Sequence, residues 1–416
     1  MRLIVSHPHG NPNSSHVAKA FYEQGWLASF HSGVNSDDSL ARFLSVLSPN
    51  NKERLLNRDY KFIPKLNRHS HVFWETASRL GKRISPAGLT SKVSWYDVLF
   101  CGHDQRVANT LDRLPDTVNG VYAYEDGAKK TFVVARERSA VRIYELPAGF
   151  YAGVAHELQR ATEGFIDSRV EFKEEPAWKR KRKDEELNLS DIVVVPSSWA
   201  RESLRFSPIG DKKPVLVIPY GTPADDLQVR GRKPNGPFTV LFAGRIGMRK
   251  GIQYLLNAWE SLHLRNARLQ LAGSLGIGAK HFARYSNLEY LGALPRVELI
   301  RRIQEADLLV LPSLAEGFGL VIGEAMALGV PVLASTNTGG PELINNGVEG
   351  WCVSPRDADA LAERIEWGYH NRDKLYEMGR SARTRAEGWT WAHYRRTLIE
   401  QLSLHLASLA FGVTEG

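Results

Sequence analysis

The sequence predicts an α/β protein built on two separate parallel sheets, each covered by crossover helices. Three observations predict it. The chain has 416 residues, and at roughly 150 residues per domain that length suits two units better than one. Short β-branched runs alternate with longer amphipathic stretches, the pattern of strand, crossover helix and parallel strand. A Gly-, Pro- and Asp-rich stretch, Tyr220 to Pro237, divides these runs into two series, and its lack of anchoring apolar residues marks it as a linker.

In the first series the expected strands are Arg2 to Ser6, Asp97 to Phe100, Val121 to Tyr124, Ala140 to Tyr144, Ile192 to Val195 and Val215 to Ile218. The second series runs Phe238 to Ala243, Arg268 to Ala272, Leu288 to Leu291, Leu308 to Leu311, Val330 to Ala334 and Gly350 to Val353. Residues 31 to 90 carry few strand signals, because Ser, Asn, Arg and His interrupt the apolar alternation. At the far end Leu398, Leu402, Leu406 and Leu409 fall at helical spacing and predict a helix over Tyr394 to Leu409.

Composition excludes several classes. No stretch approaches the roughly 20 apolar residues that span a bilayer. The opening run Met1 to Ser6 meets His7-Pro8-His9 too soon for a signal peptide, which predicts a cytoplasmic protein. Cys101 and Cys352 lack companions at metal-ligand spacing, so they read as small buried side chains rather than a zinc site or disulfide framework. The net charge of +8 suits an anionic partner. The basic run Lys179 to Lys183 is followed at once by Asp184-Glu185-Glu186, which reads as a solvated helix with local ion pairs. Without interleaved aromatics it does not suggest nucleic acid, whereas peripheral contact with an anionic membrane is compatible with it.

The most informative stretch is Leu308 to Ala327. A fully apolar strand enters a loop, Pro312 to Gly319, and then a helix, so the loop sits at the carboxyl edge of a parallel sheet, where α/β proteins bind ligands. Gly317 and Gly319 flank Phe318 and let the backbone approach a ligand. The amides near Gly319 and Leu320 then face it from the positive end of the helix. Glu316 and Glu324, eight apart across that loop, suit the hydroxyls of a sugar and of a ribose, since a carboxylate accepts two hydroxyl hydrogens. Phe242 to Gly251 repeats the strand, loop and helix pattern, and brings Arg245 and Lys250 to the same edge, where cations neutralise a diphosphate. Arg249 reads as a solvated loop charge. Asp357-Ala358-Asp359 looks like a metal motif but reads as a helix cap, and Gly339-Gly340 reads equally as a site border or a plain turn.

Residues 316 to 332, Glu-Gly-Phe-Gly-x4-Glu-Ala-Met-Ala-x-Gly-x-Pro-Val, closely resemble the Glu-x7-Glu signature of family 4 of the glycosyltransferases. Asp191 to Ser198, Val217 to Gly221, Phe242 to Gly251 and Asn287 to Asp307 follow in family order. The resemblance implies the GT-B fold, two Rossmann-like, doubly wound domains facing a central cleft. Residues 1–222 would bind the acceptor, with a C-terminal helix over 392–416 crossing back to them, and residues 223–391 would bind the donor. It further implies a UDP-, GDP- or ADP-sugar donor, transfer of a hexosyl unit with retained configuration, no metal or other cofactor, and a glycan, lipid-linked or small-molecule hydroxyl acceptor. The diphosphate contacts of the family fall on Arg245 and Lys250.

The first half departs from the family in two places. Where many members carry Gly-Gly after the first strand, this chain reads His7-Pro8-His9-Gly10-Asn11, and Gly10 is kept as a donor contact. Where a His often follows the strand at Val141 to Tyr144, Glu145 stands instead, as a candidate catalytic base or electrostatic partner of the sugar. His103-Asp104 and Glu125-Asp126 are second-rank candidates at the same edge. Two other readings compete. One is a different activity on the same fold, an epimerase or hydrolase of sugar nucleotides. The other is a basic protein that binds nucleic acid or membrane.

Overall fold

The computed structural model describes residues 1–9, 11–35, 58, 60–85, 88–90, 92–162, 174–210, 212–229, 236–282 and 284–411. The first sheet contains β1 (Leu3–Ser6), β2 (Leu27–Ser32), β3 (Arg68–Ser70), β4 (Gly120–Tyr124), β5 (Val141–Glu145), β6 (Ile192–Val195) and β7 (Val215–Val217). All its pairings are parallel, in the order β3-β2-β1-β4-β5-β6-β7. The second contains β8 (Phe238–Ala243), β9 (Ala267–Ala272), β10 (Leu288–Gly292), β11 (Leu308–Leu311), β12 (Val332–Ser335) and β13 (Gly350–Val353), also parallel, in the order β10-β9-β8-β11-β12-β13. Each order reverses direction at one point, between β1 and β4 in one sheet and between β8 and β11 in the other. Crossovers leaving a reversal point go to opposite faces, which opens a crevice at the carboxyl ends there.

The helices in chain order are α1 (Pro12–Glu23), α2 (Val72–Ile84), α3 (Trp95–Leu111), α4 (Lys129–Glu137), α5 (Tyr151–Thr162), α6 (Ala177–Leu189) and α7 (Ser198–Ser203) around the first sheet. The second sheet carries α8 (Ile252–Leu262), α9 (Arg296–Glu305), α10 (Leu320–Ala327), α11 (Gly340–Leu343), α12 (Ala358–His370) and α13 (Arg372–Gly388). The last helix, α14 (Trp391–Phe411), packs on α1 of the first domain. Trp391 stacks on His16 at 4.1 Å between ring centroids, and Arg395 Nε donates to Glu23 at 2.9 Å.

All six strands expected in the second half are present: β8, β11 and β12 are apolar runs buried on both faces, whereas β10, with Glu289 and Tyr290 exposed, is held at the sheet edge by its pairing with β9. In the first half, Asp97 to Phe100 is not a strand. It lies in α3, where Ser94 caps the Asp97 amide and the Asp97 carboxylate accepts from the Ser94 amide. That reciprocal cap nucleates a helix whatever the β propensity of Val98, Leu99 and Phe100. Two strands, β2 and β3, had no signal. Leu27-Ala28-Ser29-Phe30-His31-Ser32 and Arg68-His69-Ser70 are polar sequences, and β2 becomes a strand by pairing beside β1.

One continuous apolar cluster runs from Leu3, Val5 and Tyr122 through Tyr220, Tyr394 and Leu398 to Phe318, Ile322 and Leu311. The two sheets therefore share a core where linker and last helix meet, and this shared core fixes how the two carboxyl edges face one another.

Candidate functional site

The loops after β8 and β11 flank the reversal point of the second sheet. The β8 loop makes a short helical turn over Met248–Lys250 and stops at Gly251, whose φ of 67° also starts α8. A side chain at Gly251 would place its first carbon 1.9 Å from the Pro312 carbonyl oxygen, so only glycine lets the two loops approach this closely. Lys250 then reaches across and donates directly to Glu316 Oε2, with each side chain about one-fifth exposed at 20%. Arg249 Nε donates to the Ala315 carbonyl at 2.7 Å, and the Leu314 amide donates to the Arg249 carbonyl at 2.9 Å. Arg249 is thus an exposed loop charge that also braces the two loops, because Ala315 offers a carbonyl within its reach.

Beyond Glu316 the chain turns through Gly319, at φ 83°, into α10, whose first turn carries no side-chain cap and no acidic residue. The first amides of any helix have no intrahelical partner, so this end is open to an anion. Glu324, one turn further on, accepts from Arg296 Nη1 at 2.6 Å, which leaves Oε2 as the free oxygen for a hydroxyl hydrogen. Arg296 starts α9 and was not singled out in the sequence; its place beside Glu324 depends on the pairing of β9 with β10. Arg245 is exposed on the β8 loop beside Gly276, whose added first carbon would lie 3.4 Å from its Nε. The structure thus joins Lys250 with Glu316 and Arg296 with Glu324, and leaves Arg245 at the same edge without drawing it into either pair.

Phe318 is 3% exposed. Its ring packs edge-on against Tyr220 at 5.3 Å and occupies the space where Gly339 would carry a side chain, 2.2 Å from that missing carbon. The Gly339 amide donates to the Phe318 carbonyl at 2.7 Å. Gly339 is thereby more than a plain turn. Burial of such a ring contributes about 2 kcal/mol, and here it anchors the loop that presents Gly319 and Leu320. Gly317 faces the other domain: an added carbon would lie 2.0 Å from the Pro147 carbonyl oxygen, and Ser197 Oγ donates to the Gly317 carbonyl at 2.6 Å.

On the first domain Glu145 does not face the cleft as a base. It is 1% exposed, and its two oxygens accept from the hydroxyls of Tyr122 and Tyr220, each at 2.6 Å. Burial raises its carboxyl above the usual range, against those hydrogen bonds. The correction has a simple cause: β5 runs one residue further than expected, to Glu145, so the side chain alternates inward. His103 and Asp104 also leave the rim, since both lie in α3. His103 is fully buried with Nε2 3.2 Å from Ser6 Oγ, and Asp104 accepts from the amides of Lys130 and Thr131 in the first turn of α4. Glu125 and Asp126 do end β4 at the edge. Burial, opposed by the Lys183 ammonium, pushes Glu125 up to about 7. Gly10 lies outside the described residues.

His7 is buried beside Tyr124 at 4.6 Å, and burial with the nearby His9 and Arg58 lowers it to about 3. Burial lowers His9 to about 4. The basic run is not a solvated face either. Lys179 pairs with Asp97 and Asp126 at 2.9 and 3.0 Å, Arg182 with Asp104 at 2.6 Å and Lys183 with Glu175 at 2.8 Å. Positions 179, 182, 183 and 186 share one stripe of α6, and that stripe turns toward the acidic ends of β4 and α3. Asp357 caps α12 by accepting from the Ala360 amide at 2.8 Å. Among the described residues no group of three or more His, Cys, Asp or Glu side chains is placed to hold a metal, and no helix is long and apolar enough to cross a membrane.

Comparison with known proteins fits this geometry. Residues 224–385 match the family model described as glycosyl transferases group 1. A D-inositol 3-phosphate glycosyltransferase of Arthrobacter sp. (strain FB24) is 32% identical over 252 residues, 55% of this chain and 59% of the relative. That of Paenarthrobacter aurescens (strain TC1) is 37% identical over 186 residues, 41% and 45%. The chain thus spans at most about three-fifths of the length of these curated relatives. Among solved structures, sucrose-phosphate synthase from Thermosynechococcus elongatus superposes with a TM-score of 0.61 at 17% identity, covering 98% of this chain and 100% of that one. Anabaena Alr3699/HepE in complex with UDP and glucose gives 0.61 at 17%, covering 97% and 99%. At such identities the likeness establishes the shared fold.

Proposed function

We propose that this chain, a GT-B protein resembling glycosyltransferase family 4 with a group 1 domain over residues 224–385, transfers a hexosyl unit from a nucleotide sugar to a hydroxyl acceptor, with retention and without a metal. One observation carries the reading: Lys250, Glu316, Glu324 and the open start of α10 converge on the reversal point of the second sheet. Such an arrangement suits a diphosphate with two carboxylates beside it, which supports the reading. The curated relatives are named as glycosyltransferases, and HepE was solved with UDP and glucose, which supports a nucleotide-sugar donor.

In the proposed reaction the bond from the sugar anomeric carbon to the diphosphate oxygen breaks, and both bonding electrons leave with the diphosphate. Lys250, Arg245 and the α10 amides hold the growing negative charge. The acceptor hydroxyl oxygen bonds to the anomeric carbon on the same face, and its proton passes to the departing phosphate oxygen. Glu316 orients the sugar hydroxyls and Glu324 the ribose, so positioning contributes along with electrostatics. The acceptor enters along the carboxyl edge of the first sheet, past His7, His9 and the end of β4.

The test is a thermal-shift panel of UDP, GDP and ADP with their sugars, followed by product analysis with EDTA present. Stabilisation by one nucleotide and an acceptor-dependent product of retained configuration is the expected result. Free sugar released without acceptor would instead indicate a hydrolase or epimerase.

A further inference from the structure

The Glu145 carboxylate is buried where three parts of the chain meet. Tyr122 belongs to β4, Tyr220 to the linker and Tyr394 to α14, and Tyr220 packs on Tyr394 at 5.8 Å between ring centroids. Two of these tyrosines donate to the carboxylate, one to each oxygen. A buried carboxylate costs desolvation that apolar packing would avoid, so its return lies in direction: short hydroxyl-to-carboxylate bonds fix the orientation of both rings. The Tyr220 ring in turn meets Phe318 edge-on. Two residues past Glu145, the Pro147 carbonyl fills the space beside Gly317. The end of β5 therefore reaches the loop after β11 by two routes, directly through Pro147 on Gly317 and indirectly through Tyr220, which Glu145 holds and which packs on Phe318.

We propose that Glu145 is a positioning residue for Gly317 to Leu320: it orients Tyr220, Tyr220 holds Phe318, and the amides at the start of α10 are thereby aimed at the donor diphosphate. The inference rests on the donor reading of that loop. Glu145 touches no substrate, and its effect falls on donor binding rather than on the acceptor. The linker residue Tyr220 makes the coupling directional, since its hydroxyl meets the carboxylate and its ring meets Phe318.

The experiment compares Tyr220→Phe, which keeps the ring and loses the hydroxyl, with Glu145→Leu and Glu145→Gln. It reads amide hydrogen exchange over Gly317 to Leu320 against β8 as an internal control, together with separate KM values for donor and acceptor. Tyr220→Phe and Glu145→Leu are expected to speed exchange in the loop by about fivefold and raise donor KM by a similar factor, leaving β8 exchange and acceptor KM unchanged. Glu145→Gln, which still accepts from one tyrosine, restores most of both. Should Tyr220→Phe melt like the parent and leave loop exchange and donor KM unaltered, the coupling is refuted. Should the parent transfer no sugar, the donor reading fails, while the exchange measurement still decides whether Glu145 orders the loop.

Discussion

The Lys250 ammonium and the Glu316 carboxylate meet directly across the reversal point between β8 and β11, the only place where the two loops carry opposite charges face to face among the described residues. In the proposed reaction a diphosphate and a sugar compete for the two partners of this pair.

If Lys250 meets the charge that grows on the leaving group, as in the proposed reaction, its removal acts on the transition state more than on binding. Lys250→Ala is expected to lower kcat by roughly 10²- to 10³-fold, the usual effect of deleting one preorganised charge partner. Donor KM should change far less. Steady-state kinetics against donor concentration check this, and an unchanged kcat at saturation would remove Lys250 from the catalytic role.

Glu324 keeps one oxygen free while Arg296 occupies the other at 2.6 Å. A parent enzyme that uses this oxygen for ribose should disfavour a 2′-deoxyribose or 3′-deoxyribose donor by about tenfold or more, and Glu324→Ala should erase the preference. Arg296→Ala should have a much smaller effect, since the Arg296 side chain is 48% exposed and its pairing is screened by water. Competition between natural and deoxy donors reads the ratio directly.

Gly317 abuts the Pro147 carbonyl at a distance that excludes any side chain. Gly317→Ala must push the loop off the first domain, and a displacement of about 1 Å at the reacting centre costs on the order of 10²-fold in kcat/KM. Gly276→Ala, where the nearest contact is 3.0 Å, serves as the milder comparison on a neighbouring loop.

Glu75 of α2 accepts from the Val34 amide just past β2 at 2.7 Å and pairs with Arg58 at 2.8 Å and Arg79 at 2.7 Å. Burial alone would raise its carboxyl, but the two guanidinium groups and the Val34 amide hold it below the usual 4.5. The folded value lies under the unfolded one, so this stabilisation is complete above about pH 4.5 and is lost as pH falls through the lowered folded value. Glu75→Gln leaves Arg58 buried without its charge partner and should cost about 3 to 5 kcal/mol near neutrality. Chemical denaturation from pH 7 to 3 should show a constant gap to the parent down to about pH 5, closing below it. Burial also lowers His7 and His71, to about 3 and about 4. Both proteins therefore lose stability together below the ordinary histidine range, and the gap reports Glu75 together with its charge on the neighbouring His9.

Much of this architecture was legible in the chain. The centre of the second sheet was readable because β8, β11 and β12 are short apolar runs buried on both faces, and a sequence displays apolar runs openly. The loops after Ala243 and Leu311 were readable too, since each is a glycine-containing loop that joins an apolar strand to a helix and so sits at the carboxyl edge of a parallel sheet. Glu316, Glu324, Arg245 and Lys250 follow from that placement. The first half was harder. Ser94 and Asp97 form the reciprocal cap that starts α3, a local signal hidden by the β-prone run behind it. Arg68-His69-Ser70 carried none, because an edge strand of polar residues is specified by its neighbour's hydrogen bonds rather than by its own side chains.

By itself, then, the sequence determined local periodicity, the loop chemistry at each strand end, and hence the two sheets and the edge where charge gathers. Only the tertiary structure decided which side chains face each other across long separations: that Glu145 turns inward to tyrosines from the linker and first sheet, that Arg296 reaches Glu324, and that the basic stripe of α6 is spent on buried acids. The physical reason is that period fixes the direction of a side chain relative to its own element, whereas its partner is fixed by how elements pack. One residue of extra strand at Glu145 was enough to exchange a cleft for a core.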